Sequence, residues 1–165
     1  MRLIVSDASP LIVIARTGLI PVLKRMVEEV IVPATVYAEC THDLTLPGAR
    51  AVRAAVEAGD IQVRPGVVPP ITDAGEELSG LGAGELAAIH LAQDLQCPVL
   101  MDERLGRQVA RHRGLTVIGS AGLLLAAKKL GLIPAVAPIL SEWQQSGYFL
   151  SEALIKAMLV RAGEA

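Results

Sequence analysis

The sequence predicts an α/β fold: a central parallel sheet of about five strands with helices on both faces. Three observations predict it. Short aliphatic runs recur at 2–6, 30–32, 61–63, 99–101 and 115–118, with helical segments between them. Hydrophobic residues make up 52% of the chain but aromatic residues only 2%, so the core must be built from Leu, Val, Ile and Ala. Twice an aliphatic run hands over to a helix through an acid: Leu3-Ile4-Val5 into Asp7, and Val99-Leu100-Met101 into Asp102. Such strand ends are where open α/β sheets keep their sites.

The elements follow in order. After the first strand, Ser9 offers an N-cap and Pro10 a first helical position, with Leu11, Ile14 and Ala15 on one face. Gly18 ends that helix, and a second runs from about Leu19 to Val27. Val30-Ile31-Val32 is stopped by Pro33, which opens a helix carrying Tyr37 and Glu39. His42 to Pro47 reads as a polar loop, and a helix from about Gly48 to Ala58 is closed by Gly59. Residues 64–80, with three prolines and three glycines, read as a surface loop. Leu81 to Gln96 has strong helical spacing, and Glu103–Arg113 is a basic helix ended by Gly114. Ser120 then caps an Ala/Leu helix reaching Leu130, and two helices at about 134–145 and 151–162 follow.

At 165 residues the chain is expected to form one domain with a real core. No apolar run approaches the ~20 residues of a membrane span. The N-terminus lacks the basic-then-apolar layout of a signal peptide, so a cytoplasmic protein without a membrane anchor is expected. Net charge is −2, which excludes a generally basic nucleic-acid coat but leaves room for a local basic stripe. Cys40 and Cys97 have no metal-ligand spacing and read as reduced, buried thiols.

Four acids interrupt apolar surroundings. Asp7 and Asp102 end strands; Glu39 follows Val36-Tyr37-Ala38; Glu85 sits inside Gly82-Ala83-Gly84-Glu85-Leu86-Ala87-Ala88-Ile89. Each alone has a plain alternative. Asp7 and Asp102 could be acids favoured by a helix dipole, Glu85 a capping-box acid, and Glu39 a solvated helix-end residue. Together they make a cation-binding cluster, since carboxylates in apolar surroundings must be neutralised, paired or bound to metal. Oxygen ligands without paired His or Cys point to Mg²⁺ or Mn²⁺ rather than zinc. His90 lies about 140° round the helix from Glu85 and should point elsewhere, while His42 and His112 sit in polar stretches.

These blocks resemble the PIN-domain family, and most closely its stand-alone prokaryotic group related to VapC-type toxin ribonucleases. The matching residues are Asp7-Ala8-Ser9-Pro10-Leu11-Ile12, Val32-Pro33 with Val36-Tyr37-Ala38-Glu39, the Leu81–Ile89 block, Leu100-Met101-Asp102-Glu103-Arg104 with Arg107, and Gly119-Ser120-Ala121-Gly122. They fall in family order over about residues 1–135. The resemblance implies a three-layer α/β/α core over about 1–133 and a helical extension over about 134–165. It implies a metal-dependent endoribonuclease with Asp7, Glu39, Glu85 and Asp102 as catalytic ligands of Mg²⁺ or Mn²⁺. Glu103 is an alternative ligand to Asp102, which is preferred for its place at the strand end. Ser9 and Ser120 would support the acids or hold water. The implied partner is an RNA substrate, with a cognate antitoxin and a second copy of the chain as open partner classes.

A nuclease must also grip phosphates. Arg104, Arg107 and Arg111 recur at spacings of three and four on one helix face directly after Asp102, and Arg16 is a further candidate. The alternative is a solvated outer face. Two other functions compete. A non-catalytic RNA-binding or partner-regulated module would use the same fold without cutting. A haloacid-dehalogenase-like phosphatase would need an acid two positions after Asp7, where Ser9 stands. Trp143, Tyr148 and Phe149, concentrated near the C-terminus, form either a partner surface or a small aromatic core.

Overall fold

The computed structural model describes residues 2–65 and 80–165. Its strands are β1 (Leu3–Ser6), β2 (Glu29–Pro33), β3 (Ile61–Arg64), β4 (Val99–Leu100) and β5 (Val117–Ile118). All pair in parallel, in the order β3-β2-β1-β4-β5. The loop expected over 64–80 lies, for residues 66–79, outside the described residues. Ile4, Val5, Val30, Ile31, Val32, Val99 and Leu100 are fully buried. Near-continuous aliphatic strands are what a sheet covered on both faces requires.

Helices fill the crossovers: α1 (Ala8–Arg16) and α2 (Ile20–Met26), then α3 (Ala34–Cys40) and α4 (Pro47–Glu57), then α5 (Ala83–Leu95), then α6 (Arg104–His112). The strand order runs outward from β1 through β2 to β3, then returns to β4 on the other side of β1. Right-handed crossovers made in opposite directions place their helices on opposite faces. Accordingly α1 packs on α4, and α5 packs on α6. The reversal falls between β1 and β4. At such a switch point two connections leave in opposite directions and open a crevice at the carboxyl ends.

After β5 come α7 (Ser120–Lys129), α8 (Ala137–Gln145) and α9 (Glu152–Arg161). Trp143 of α8 is wholly buried, and its indole N–H donates to Thr17 Oγ1 at 3.1 Å, tying α8 to the end of α1. The Glu164 carboxylate accepts from Lys128 Nζ at 2.9 Å and from the Val136 and Ala137 N–H groups at 2.8 and 3.0 Å. These bonds hold its carboxyl down at about 2. Among the described residues, no helix is long and apolar enough to cross a membrane.

Two expected caps are corrected. Helix α1 begins at Ala8 with Asp7 as its N-cap residue, so Ser9 lies in the first turn and is exposed. Pro10 is tolerated there because first-turn N–H groups have no helical partner. Likewise Gly119, not Ser120, is the N-cap residue of α7, and Ser120 is its first helical residue. In both cases a residue already in extended backbone precedes the serine: Asp7 at ψ 171° and Gly119 at ψ 163°.

Candidate functional site

Asp7 and Asp102 leave the sheet side by side at the switch point. Ser6 pairs with Leu100, the Asp7 N–H donates to Leu100 O at 2.9 Å, and the Met101 N–H donates to Ile118 O at 2.9 Å. Asp7 is buried, only 5% exposed, and its side chain makes no capping bond to the later N–H groups of α1. It is therefore not an ordinary capping acid. Asp102 is half-buried; its Oδ1 accepts from the Ser120 N–H at 2.8 Å and its Oδ2 from the Tyr148 hydroxyl. Thus Asp102 itself supplies the cap that was expected from Ser120.

The two glutamates arrive from helices that pack on one another, α3 and α5. Gly84 makes this approach possible. A Cβ there would lie 2.7 Å from both Cδ and Oε2 of Glu39, closer than side chains tolerate. The missing side chain at Gly84 leaves room for a carboxylate. Glu85 sits one residue on, with Oε2 accepting from the Gly82 N–H at 3.1 Å. The capping contact considered for Glu85 is therefore made, beside Glu39. Glu103 caps α6, its Oε2 accepting from the Gly106 N–H at 2.6 Å.

Electrostatics joins these acids. Burial pushes the Asp7 carboxyl from its ordinary 3.8 up to about 6, the Ala8 N–H opposes this, and the charges of Glu85, Glu39 and Asp102 raise it further. Burial also raises the Glu85 carboxyl, the Gly82 N–H opposes it, and Glu103 and Glu39 add to it. Cys40 lies buried beneath the cluster, its thiol pushed up to about 12 by burial and then by Asp7 and Glu39. Cys40 and Cys97 are both free and buried. Burial lowers the His90 imidazole, Arg113 adds to this and Asp94 opposes it, with no contribution from the four site acids. His112 is exposed in the last turn of α6, and His42 is exposed beside Asp43.

The other expected residues divide. Ser120 is buried against the site, its Oγ 3.5 Å from the Tyr148 hydroxyl. Ser9 instead lines a small hollow with Arg16, whose guanidinium donates to Ser146 O at 3.4 Å. Arg104, Arg107 and Arg111 all line a groove of about 1160 Å³ that begins at Asp102. Arg107 is half-buried and fastens the site, donating to Met101 O at 3.1 Å against Gly119. Arg104 and Arg111 are exposed.

Tyr148 is the site residue that sequence reasoning missed. It stands between α8 and α9, packs edge-on against Trp143 with ring centroids 5.6 Å apart, and donates to Asp102. Its only signal in the sequence was membership of the C-terminal aromatic group.

A protein-family model described as a PIN domain, the DUF3368 family, matches residues 3–164. The chain belongs to the PIN-domain family. A search of curated proteins finds no match. PIN domains are generally nucleases that act on nucleic acids and typically use divalent metals. The five parallel strands with helices on both faces are this family's three-layer fold.

The donor chemistry of this PIN domain fits a hard divalent cation. The acids present oxygen alone, and Asp7 is so poorly hydrated that a cation would relieve it. As the side chains stand, no three acids among the described residues already surround a point suited to an ion. Asp102, Glu85 and Glu103 are directed onto N–H groups instead.

Gly84→Ala tests the Glu39 approach. The added methyl meets the far end of a flexible side chain, so the melting temperature should stay near that of the parent. Affinity for Mn²⁺, measured by calorimetry, should fall by about tenfold, as when a ligand's support is disturbed. Unchanged affinity would show that Glu39 needs no access across Gly84.

Proposed function

We propose that this PIN domain is a Mg²⁺- or Mn²⁺-dependent endoribonuclease in which Asp7, Glu39, Glu85 and Asp102 hold the metal. The observation that carries the reading is a buried Asp7 at the switch point, its carboxyl raised first by burial and then by the charges of Glu85, Glu39 and Asp102 from other elements. When bound, the metal supplies positive charge that favours ionisation of an attacking water and offsets charge gathering on the phosphate. Asp7 anchors the site from the rigid end of β1. Asp102 would share its carboxylate between the N-terminus of α7 and the metal, with Tyr148 and the Ser120 N–H orienting it. Glu103 stays with Gly106 as a helix cap. Ser9, exposed in the first turn of α1, would reach the acids through water.

The test is incubation of the purified protein with single-stranded and structured RNA in Mg²⁺, Mn²⁺ or EDTA. Cleavage with metal alone supports the reading; RNA left intact in both metals overturns it. A non-catalytic RNA-binding module is the second reading, favoured by the hydrogen bonds that already engage Asp102 and Glu85. It predicts binding without cutting.

The finer assignment follows the same reading. We place the protein with VapC-type toxins, acting in the cytoplasm as the toxin of a pair whose antitoxin blocks the site. The chain would then form one domain, with a core over about 1–133 and an extension over about 134–165. A second copy of the chain is the other protein partner of this reading.

The exposed arginines of α6 would lead the RNA backbone to Asp102, with Arg16 contacting it from the end of α1. Replacing Arg104 and Arg111 by Ala should weaken RNA binding and lower the slope of log affinity against log salt by about 1.4, at ~0.7 for each lost contact on a single strand. Titrations from low to high salt measure it. An unchanged slope would return this face to solvent.

A further inference from the structure

We propose that Phe149 is a base-stacking platform that takes an unpaired base of the RNA. The inference rests on the nuclease reading and extends it to the shape of the RNA. Phe149 is the chain's one phenylalanine and is 87% exposed. It lines the groove that begins at Asp102, as do Arg104, Arg111 and Arg161.

Its backbone is held on both sides. Tyr148 before it is fastened to Asp102, and Ser151 after it caps α9, its Oγ accepting from the Leu154 N–H at 3.1 Å. The ring is thus presented by a fixed stretch of chain. The groove's charge favours a polyanion. Among the described residues, four arginines and one acid line it, a local charge of +3 on a chain whose net charge is −2. An aromatic face beside a cationic track is the arrangement that binds single strands, where bases stack and arginines follow phosphates. A duplex keeps its bases stacked on one another and has no free face for Phe149.

The test is fluorescence anisotropy in EDTA, with a fluorescein-labelled unstructured oligoribonucleotide of roughly ten nucleotides and the blunt-ended duplex it forms with its complement. Phe149→Ala should weaken binding of the single strand by about tenfold and leave the duplex unchanged, while Phe149→Trp should restore it. Equal losses on both probes, or no loss on either, would overturn the proposal. So would a change from dimer to monomer on Phe149→Ala with RNA binding intact, since the ring would then serve a second copy of the chain. Cleavage of the same single strand by the parent protein in Mn²⁺ is scored separately. Its absence would strike the nuclease reading, whereas the binding comparison decides the stacking platform.

Discussion

Asp7→Asn, or Asp102→Asn, is expected to lower metal-dependent RNA cleavage by at least about 100-fold, which is close to 3 kcal/mol of lost transition-state stabilisation. Both residues leave adjacent parallel strands at the point where the strand order reverses, so their carboxylates are presented by hydrogen-bonded central strands of the sheet. An amide keeps the size of the side chain but loses the charge that binds a hard cation. Asp102→Asn carries a further consequence. It weakens the charge-assisted bonds from the Ser120 N–H and Tyr148, so the C-terminal extension should loosen as well. Single-turnover cleavage assays at saturating metal measure the first effect. Parent-like rates in either variant would remove that residue from the site.

The second large effect concerns stability without metal. The Asp7 carboxyl holds its proton up to about pH 6 in the folded protein but releases it near 3.8 when unfolded. Between those values the folded state binds more protons, so stability falls as pH rises and the whole penalty is present above about pH 6. A shift of this size corresponds to about 3 kcal/mol, or roughly 6–12 °C in melting temperature for a chain of this length. Asp7→Asn should therefore melt higher than the parent at pH 7–8 in EDTA, and its stability should no longer decline between pH 4 and 6. Millimolar Mn²⁺ should raise the parent's melting temperature by mass action and leave Asp7→Asn little changed. An acid that merely favours the helix dipole predicts the reverse: a destabilised variant and a metal-insensitive parent. Thermal melts of both proteins across pH, with EDTA and with Mn²⁺, distinguish the two.

Much of the fold was legible because its signals are local. Each aliphatic run became a strand and each helical segment a helix, with ends displaced by a few residues where caps compete. The runs at 99–101 and 115–118 shortened to Val99–Leu100 and Val117–Ile118. Leu115 instead closes α6 through its N–H to Ala110 O. The caps misassigned to Ser9 and Ser120 share one cause. A serine is a good cap by propensity, but Asp7 and Gly119 already held the extended backbone that a cap position requires. The charges of Glu85, Glu39 and Asp102 all reach Asp7, yet their side chains do not surround one point. The arginine stripe divided, because Arg107 found the Met101 carbonyl while its neighbours stayed in solvent.

What the sequence by itself determined was the order of strands and helices, the aliphatic core, and acids at the ends of β1 and β4. These follow from periodicity and from where a polar residue interrupts an apolar run, both readable over a few positions. Tertiary structure alone decided which groups meet. The strand order set β1 beside β4 and so Asp7 beside Asp102. The packing of α3 on α5 brought the Glu39 carboxylate across Gly84. The fold brought Tyr148 to Asp102, 46 residues earlier in the chain, while burying Trp143 and leaving Phe149 outside. Those contacts depend on how whole elements pack, and no short stretch of sequence encodes the partner it will find across the fold.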